Sequence, residues 1–151
     1  MYSTSINKLV FFIMLCIETI CIYKNSLFML LVMSILVFES VTDFLNNDVY
    51  SIFNVLIAIL GIMFVKPKIT QILVSSLLPL LIYLLSKITK GMGLGDIELL
   101  FSLCFIFDIY DISRILFLAS FINIIYSFFI KKKSYPFVPF LAFSIFIFWL
   151  I

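Results

Sequence analysis

Histidine is absent from this 151-residue chain, and charge is scarce, with 10 basic and 8 acidic side chains making up 12% of the residues. Without histidine, and with three cysteines in no CxxC pattern, the usual zinc ligand sets cannot be assembled, so no metal site is expected. Cys16, Cys21 and Cys104 all fall inside apolar runs and read as small buried hydrophobes. A net charge of +2 is too small to mark a nucleic-acid partner. Glycine and proline are rare too, four of each. What fills the chain instead is apolar: 65% of residues are hydrophobic and the mean hydropathy is +1.31. Soluble domains are roughly 45–50% apolar and about 25% charged. Only a bilayer solvates this composition, so the lipid bilayer is its first expected partner.

Seven apolar runs can be marked, at roughly 9–23, 26–42, 49–65, 69–87, 97–110, 112–130 and 135–151. The expected fold is all-α, a polytopic membrane bundle of six or seven transmembrane helices. Only Lys24 and Asn25 separate the first two runs, which form either two spans or one bent element. No A-x-A-like site follows the first run, which reads as a retained span. No long polar segment interrupts the pattern, so residues 1–151 are expected to form a single membrane-embedded domain with no soluble domain. A helix needs about 20 residues to cross the hydrocarbon core; several runs are shorter, and 97–110 is the weakest. With seven spans, Lys8, Lys87, Lys90 and Lys131 to Lys133 share one side, against Lys24, Lys66, Lys68 and Arg114 on the other. The excess places the first side in the cytoplasm. Two spans separate the 43–48 loop from the 87–96 loop, so both open on the same face however the first runs are resolved.

A carboxylate at membrane depth costs about 2.5–3.5 kcal/mol or more, so each of the eight acidic residues needs a reason. Asp48, Asp108 and Asp111 read as solvated loop charges. Glu18, in mid-run, either pairs with Lys24 or marks a cavity. Asp43 ends the second run and Asp96 begins the fifth, so their side chains can converge near one surface. By position alone they fit interfacial helix caps equally well. The surroundings of Asp96 favour a built site: three of the four glycines, Gly91, Gly93 and Gly95, lie just before it. Such backbone is tolerated at membrane depth only where it is enclosed by protein or lines a wet cavity. Glu39, four residues before Asp43, shares its helical face. It either modulates the protonation of the pair or closes a polar patch.

These residues resemble the type IV prepilin peptidases, GxGD-class membrane aspartyl proteases. Gly93-Leu94-Gly95-Asp96 matches the GxGD motif, with Gly91-Met92 before it and Leu99 after it also fitting. Asp43 followed by Val49-Tyr50-Ser51 is similar to the family's first aspartate motif. Pro136-Phe137-Val138-Pro139-Phe140-Leu141-Ala142 resembles its Pro-Phe-Gly-Pro-Phe segment. The three blocks occur in family order and cover the chain from about residue 35 onward. Tyr50 and Ser51 stand where Pro and Asn are commoner, Glu98 where the family often has Lys, and Val138 in place of a glycine. Nothing matches the cysteine-bearing methyltransferase part of long members, so the resemblance is to a short, peptidase-only form.

The resemblance implies an aspartic endopeptidase of the cell membrane, with Asp43 and Asp96 as the catalytic pair and no cofactor. The active-site backbone would be Gly91, Gly93 and Gly95; apart from the resemblance, Glu39 by its helical face and Glu98 by its place beside Asp96 are candidate modulators. Pro136, Phe137, Pro139 and Phe140 would form a structural or substrate segment. The implied partners are prepilins or pseudopilins with short basic leaders, cut at the cytoplasmic face after a glycine. Three alternatives compete. A signal-peptide-peptidase-like enzyme would have Tyr before its first aspartate, where this chain has Thr42, and a Pro-Ala-Leu motif, absent here. An ion- or proton-translocating protein would use the carboxylates but not the glycine cluster. An inactive relative would only bind prepilins.

Overall fold

A computed structural model describes residues 27–46, 48–89, 92–129 and 136–150. The first apolar run, Gly91, Lys90, Glu18 and the Lys131–Lys133 block lie outside the described residues. Within them are six helices and no strand: α1 (Leu27–Asn46), α2 (Ser51–Phe64), α3 (Ile69–Thr89), α4 (Leu94–Leu103), α5 (Ile109–Phe129) and α6 (Val138–Leu150). The protein is an all-helical membrane bundle. Three helices, α1, α3 and α5, are long and apolar enough to cross a bilayer, while α2 and α6 are shorter apolar helices.

The main helix contacts close a ring, α1–α2–α4–α3–α5–α6 and back to α1. Its interior is filled by Met33 and Leu36 of α1, Ile57 of α2, Leu99 and Leu100 of α4, and Leu141 of α6, all fully buried. Lipid offers the outer surface no hydrophobic penalty, so leucines such as Leu73, Leu77, Leu81 and Leu84 on α3 remain exposed. Association rests on packing and on satisfied polar groups rather than on exclusion from water. Serines inside the helices return their hydroxyls to carbonyls one turn earlier, Ser34 to Leu30 and Ser40 to Leu36 at 2.6 Å, Ser144 to Phe140 at 2.8 Å.

The weak fifth run proves to be two pieces. At about 1.5 Å per residue, α4 rises only ~15 Å, half the hydrocarbon thickness. Its backbone then continues as tight turns, with Cys104, Phe105 and Ile106 donating to the carbonyls of Phe101, Ser102 and Leu103. Irregular backbone at this depth needs enclosure, and α2 and α3 supply it. Ser75 of α3 donates to the Phe107 carbonyl at 3.4 Å. Gly61 of α2 lets the turn press in: a Cβ there would lie 2.9 Å from both Phe105 Cβ and the Phe105 carbonyl oxygen.

Asp108 and Asp111 differ from the solvated-loop expectation. The helix begins earlier than the apolar run suggests, so Asp108 caps α5, accepting from the Asp111 N–H at 2.9 Å, and Asp111 lies in the first turn. Both are half-buried. Asp48 is exposed, as expected.

Candidate active site

Helix α1 ends in the sequence Thr42-Asp43-Phe44-Leu45-Asn46, and Asp43 occupies its last turn with only 5% of its surface exposed. Its Oδ2 accepts the backbone N–H of Val138 at 2.9 Å, a buried bond spanning 95 residues of sequence. Val138 is the first residue of α6, whose opening amides have no partner inside their own helix. Asp43 therefore caps a helix other than its own, with the positive end of that helix's backbone dipole facing its carboxyl.

Asp96 reaches the same place from α4. Gly93 is the N-cap, in extended geometry, and Asp96 is the third helical residue. Its carboxyl takes the Gly93 backbone N–H, the acidic half of a capping box. The charge of Asp43 reaches Asp96. The two carboxyls thus meet at one end of the bundle, each at a helix N-terminus. Asp96 is half-buried, but its Oδ1 is fully enclosed and has no hydrogen-bond partner among the described residues.

The glycines next to Asp96 differ in what they do. Gly95 is where the two aspartate motifs touch: a Cβ there would fall 2.7 Å from Val49 Cβ and 3.2 Å from the Val49 carbonyl oxygen. Gly93 is freer, since a Cβ would meet only Asp96 Oδ2 at 3.5 Å. Two polar contacts join the same strands of sequence. Ser51 donates to Glu98 Oε2 at 2.5 Å, and Asn54 Nδ2 donates to the Gly95 carbonyl at 3.3 Å. Glu98 is exposed, and its Oε2 is engaged by Ser51.

The Pro-Phe segment enters through its backbone. Pro136 is buried, Phe137, Pro139 and Phe140 are half-buried, and Val138 is fully buried. Phe140 packs on Tyr126 of α5 with ring centroids 5.1 Å apart, so the segment is anchored to α5 as well as α1. The valine in place of a glycine costs the contact nothing, because Asp43 uses only the amide. Glu39 is fully buried one turn below Asp43. Asn54, 3% exposed, was not singled out by the sequence. Its only signal was a lone amide side chain in an otherwise apolar run, three residues beyond Ser51.

The class of protein follows from these relations and from one comparison. The chain matches the model of the type IV leader peptidase family over residues 27–128 and belongs to that family. The match includes both aspartates and ends before the Pro-Phe segment. No curated protein and no solved structure matches the chain. As a family member with three long apolar helices, it is a protease-family protein of the membrane.

Proposed function

We propose that the protein is an aspartic endopeptidase that removes the leader from prepilin-like substrates, with Asp43 and Asp96 as its catalytic pair. The observation that carries this reading is the meeting of the two carboxyls from α1 and α4, each held by a backbone amide from an element distant in sequence or by a cap. Two carboxyls confined together do not both ionise readily, so the pair carries one proton at neutral pH. The ionised member takes a proton from water as the water oxygen bonds to the scissile carbonyl carbon. The neutral member gives its proton to the carbonyl oxygen. Collapse of the tetrahedral diol returns that oxygen to a carbonyl, breaks the C–N bond and delivers a proton to the leaving amine. The pair titrates as a unit, and either aspartate can start as the base.

Membership of the family supports a substrate with a basic leader ahead of an apolar helix. Such a helix must unwind locally to present a peptide bond, and the exposed backbone at Gly93 and Leu94 gives an extended strand room to approach. The lysine excess on the aspartate side, Lys87 in the last turn of α3 among it, favours the cytoplasmic face of the cell membrane.

The decisive experiment is co-expression with candidate prepilins, scored by the mobility shift on leader removal. Asp43→Asn and Asp96→Asn each abolish cleavage while leaving membrane insertion and abundance near wild type. Asparagine keeps the shape and still accepts a backbone N–H, so purely capping aspartates would leave cleavage unaltered. Asp48→Asn, at an exposed position, cleaves normally. Wild-type rates from both pair variants would end the protease reading and favour ion or proton translocation by the same carboxyls.

A further inference from the structure

Among the described residues, Glu39 alone has both side-chain oxygens buried without a hydrogen-bond partner. Its side chain is 0% exposed. The serines of the same helix all close on a carbonyl one turn back; Glu39 does not. Among the described residues, the charges that reach it are those of Asp96 on α4 and Asp43 on its own helix. Within the described residues, the helices with most contact to α1, namely α2 and α6, carry no titratable side chain, and Glu98 on α4 is exposed and engaged by Ser51.

An ionised Glu39 would combine two penalties, burial without a partner and repulsion from two further carboxyls. The neutral acid escapes both and also acquires an O–H to donate. A suitable acceptor lies on a residue whose charge reaches it: Asp96 Oδ1 is enclosed and has no hydrogen-bond partner among the described residues. We propose that Glu39 is a third carboxyl of the aspartate site, held as the neutral acid, which donates a hydrogen bond toward Asp96 and so positions the pair.

Glu39 is a positioning residue, acting on substrate only through the pair. Its role in cleavage rests on the protease reading, whereas its neutrality does not. Losing its proton removes the donor and adds a third negative charge beside the pair. It also gives the cluster an additional route to deprotonate as pH rises, so the basic limb of the cleavage profile falls earlier than for the pair alone.

The test uses purified full-length protein in lipid, with wild type, Glu39→Leu, Glu39→Gln, Asp43→Asn and Asp96→Asn side by side. Infrared difference spectra of wild type against Glu39→Gln at neutral pH contain the carbonyl stretch of a protonated carboxylic acid. If no such band is lost in the variant, Glu39 is ionised and the proposal is overturned. Glu39→Leu lowers the prepilin cleavage rate about five- to tenfold, the worth of one buried hydrogen bond. Glu39→Gln, which keeps a donor, recovers most of that loss and moves the basic limb to higher pH. An unmoved basic limb in Glu39→Gln refutes the positioning role, even if Glu39→Leu fails to fold. Should Asp43→Asn and Asp96→Asn cleave in the same series, the protease reading has failed, while the infrared result still decides the state of Glu39.

Discussion

Val138 contributes an amide rather than a side chain to Asp43, and the two contributions can be separated by substitution. Val138→Pro removes the N–H yet suits the first position of a helix, where proline is well tolerated. It is expected to lower prepilin cleavage with little change in abundance, because Asp43 loses one of the two backbone N–H groups, Val138 and Phe137, that hold it. Val138→Gly keeps the N–H and opens a cavity where the side chain was fully buried. That variant should cleave near the wild-type rate but lose about 2 kcal/mol or more of stability, measured as a lower thermal midpoint in detergent. Equal loss of cleavage in both would show that the side chain, not the amide, matters to Asp43. Gly95 is constrained differently: Gly95→Ala drives a methyl to 2.7 Å from Val49 Cβ. Backbone must shift to relieve this, so Asp96 moves with α4 and cleavage falls, while Gly93→Ala, with ordinary clearance, is expected to be mild.

At the scale of elements, α4 carries the problem of the fold. It is too short to cross a bilayer, and its continuation through Phe107 depends on two neighbours, the Ser75 hydroxyl and the bare face of α2 at Gly61. Gly61→Val is therefore expected to destabilise the bundle by about 1–3 kcal/mol, the usual range for overpacking, seen as a reduced thermal midpoint. The effect on the pair should be indirect, since Gly61 and Phe105 lie at the far end of α2 and α4 from Asp96. A wild-type midpoint in Gly61→Val would mean that the 104–107 turn does not rest on α2. α1 and α6 form the complementary unit, joined by the Asp43–Val138 bond at the end where the pair sits.

For the molecule as a whole, the ring of helices puts Asp48 and Leu94 at one end and Lys68 at the other, all three exposed. In a cysteine-free background, single cysteines at Asp48 and Leu94 should react with impermeant thiol reagents from the same side of the membrane. A cysteine at Lys68 should react only from the opposite side. The proposed orientation makes the first side cytoplasmic, so in intact cells only Lys68→Cys is labelled from outside. Labelling of Asp48→Cys and Leu94→Cys from different sides would contradict the two-span separation itself; labelling of both from outside would reverse the orientation alone.

The sequence by itself determined the solvent and the helical class, and it singled out the two aspartates as candidates. Hydropathy integrates over every residue, so it survives errors in any one boundary. The glycine-aspartate motif packs rare residue types into a few positions, which makes it visible without a fold. Boundaries were less legible at α4 and α5, because an apolar run does not record where the backbone turns. Capping by Asp108 set the start of α5, and the support of Gly61 and Ser75 let the chain between the two helices stay irregular. Only the tertiary structure decided what Asp43 binds. A backbone amide 95 residues away leaves no mark in residue identity, so a valine in place of a glycine looked like a departure although the donor was intact. The same holds for Glu39 and Asn54, whose residue types are ordinary. Their burial beside Asp96 is a product of three helices meeting, and no single segment encodes it.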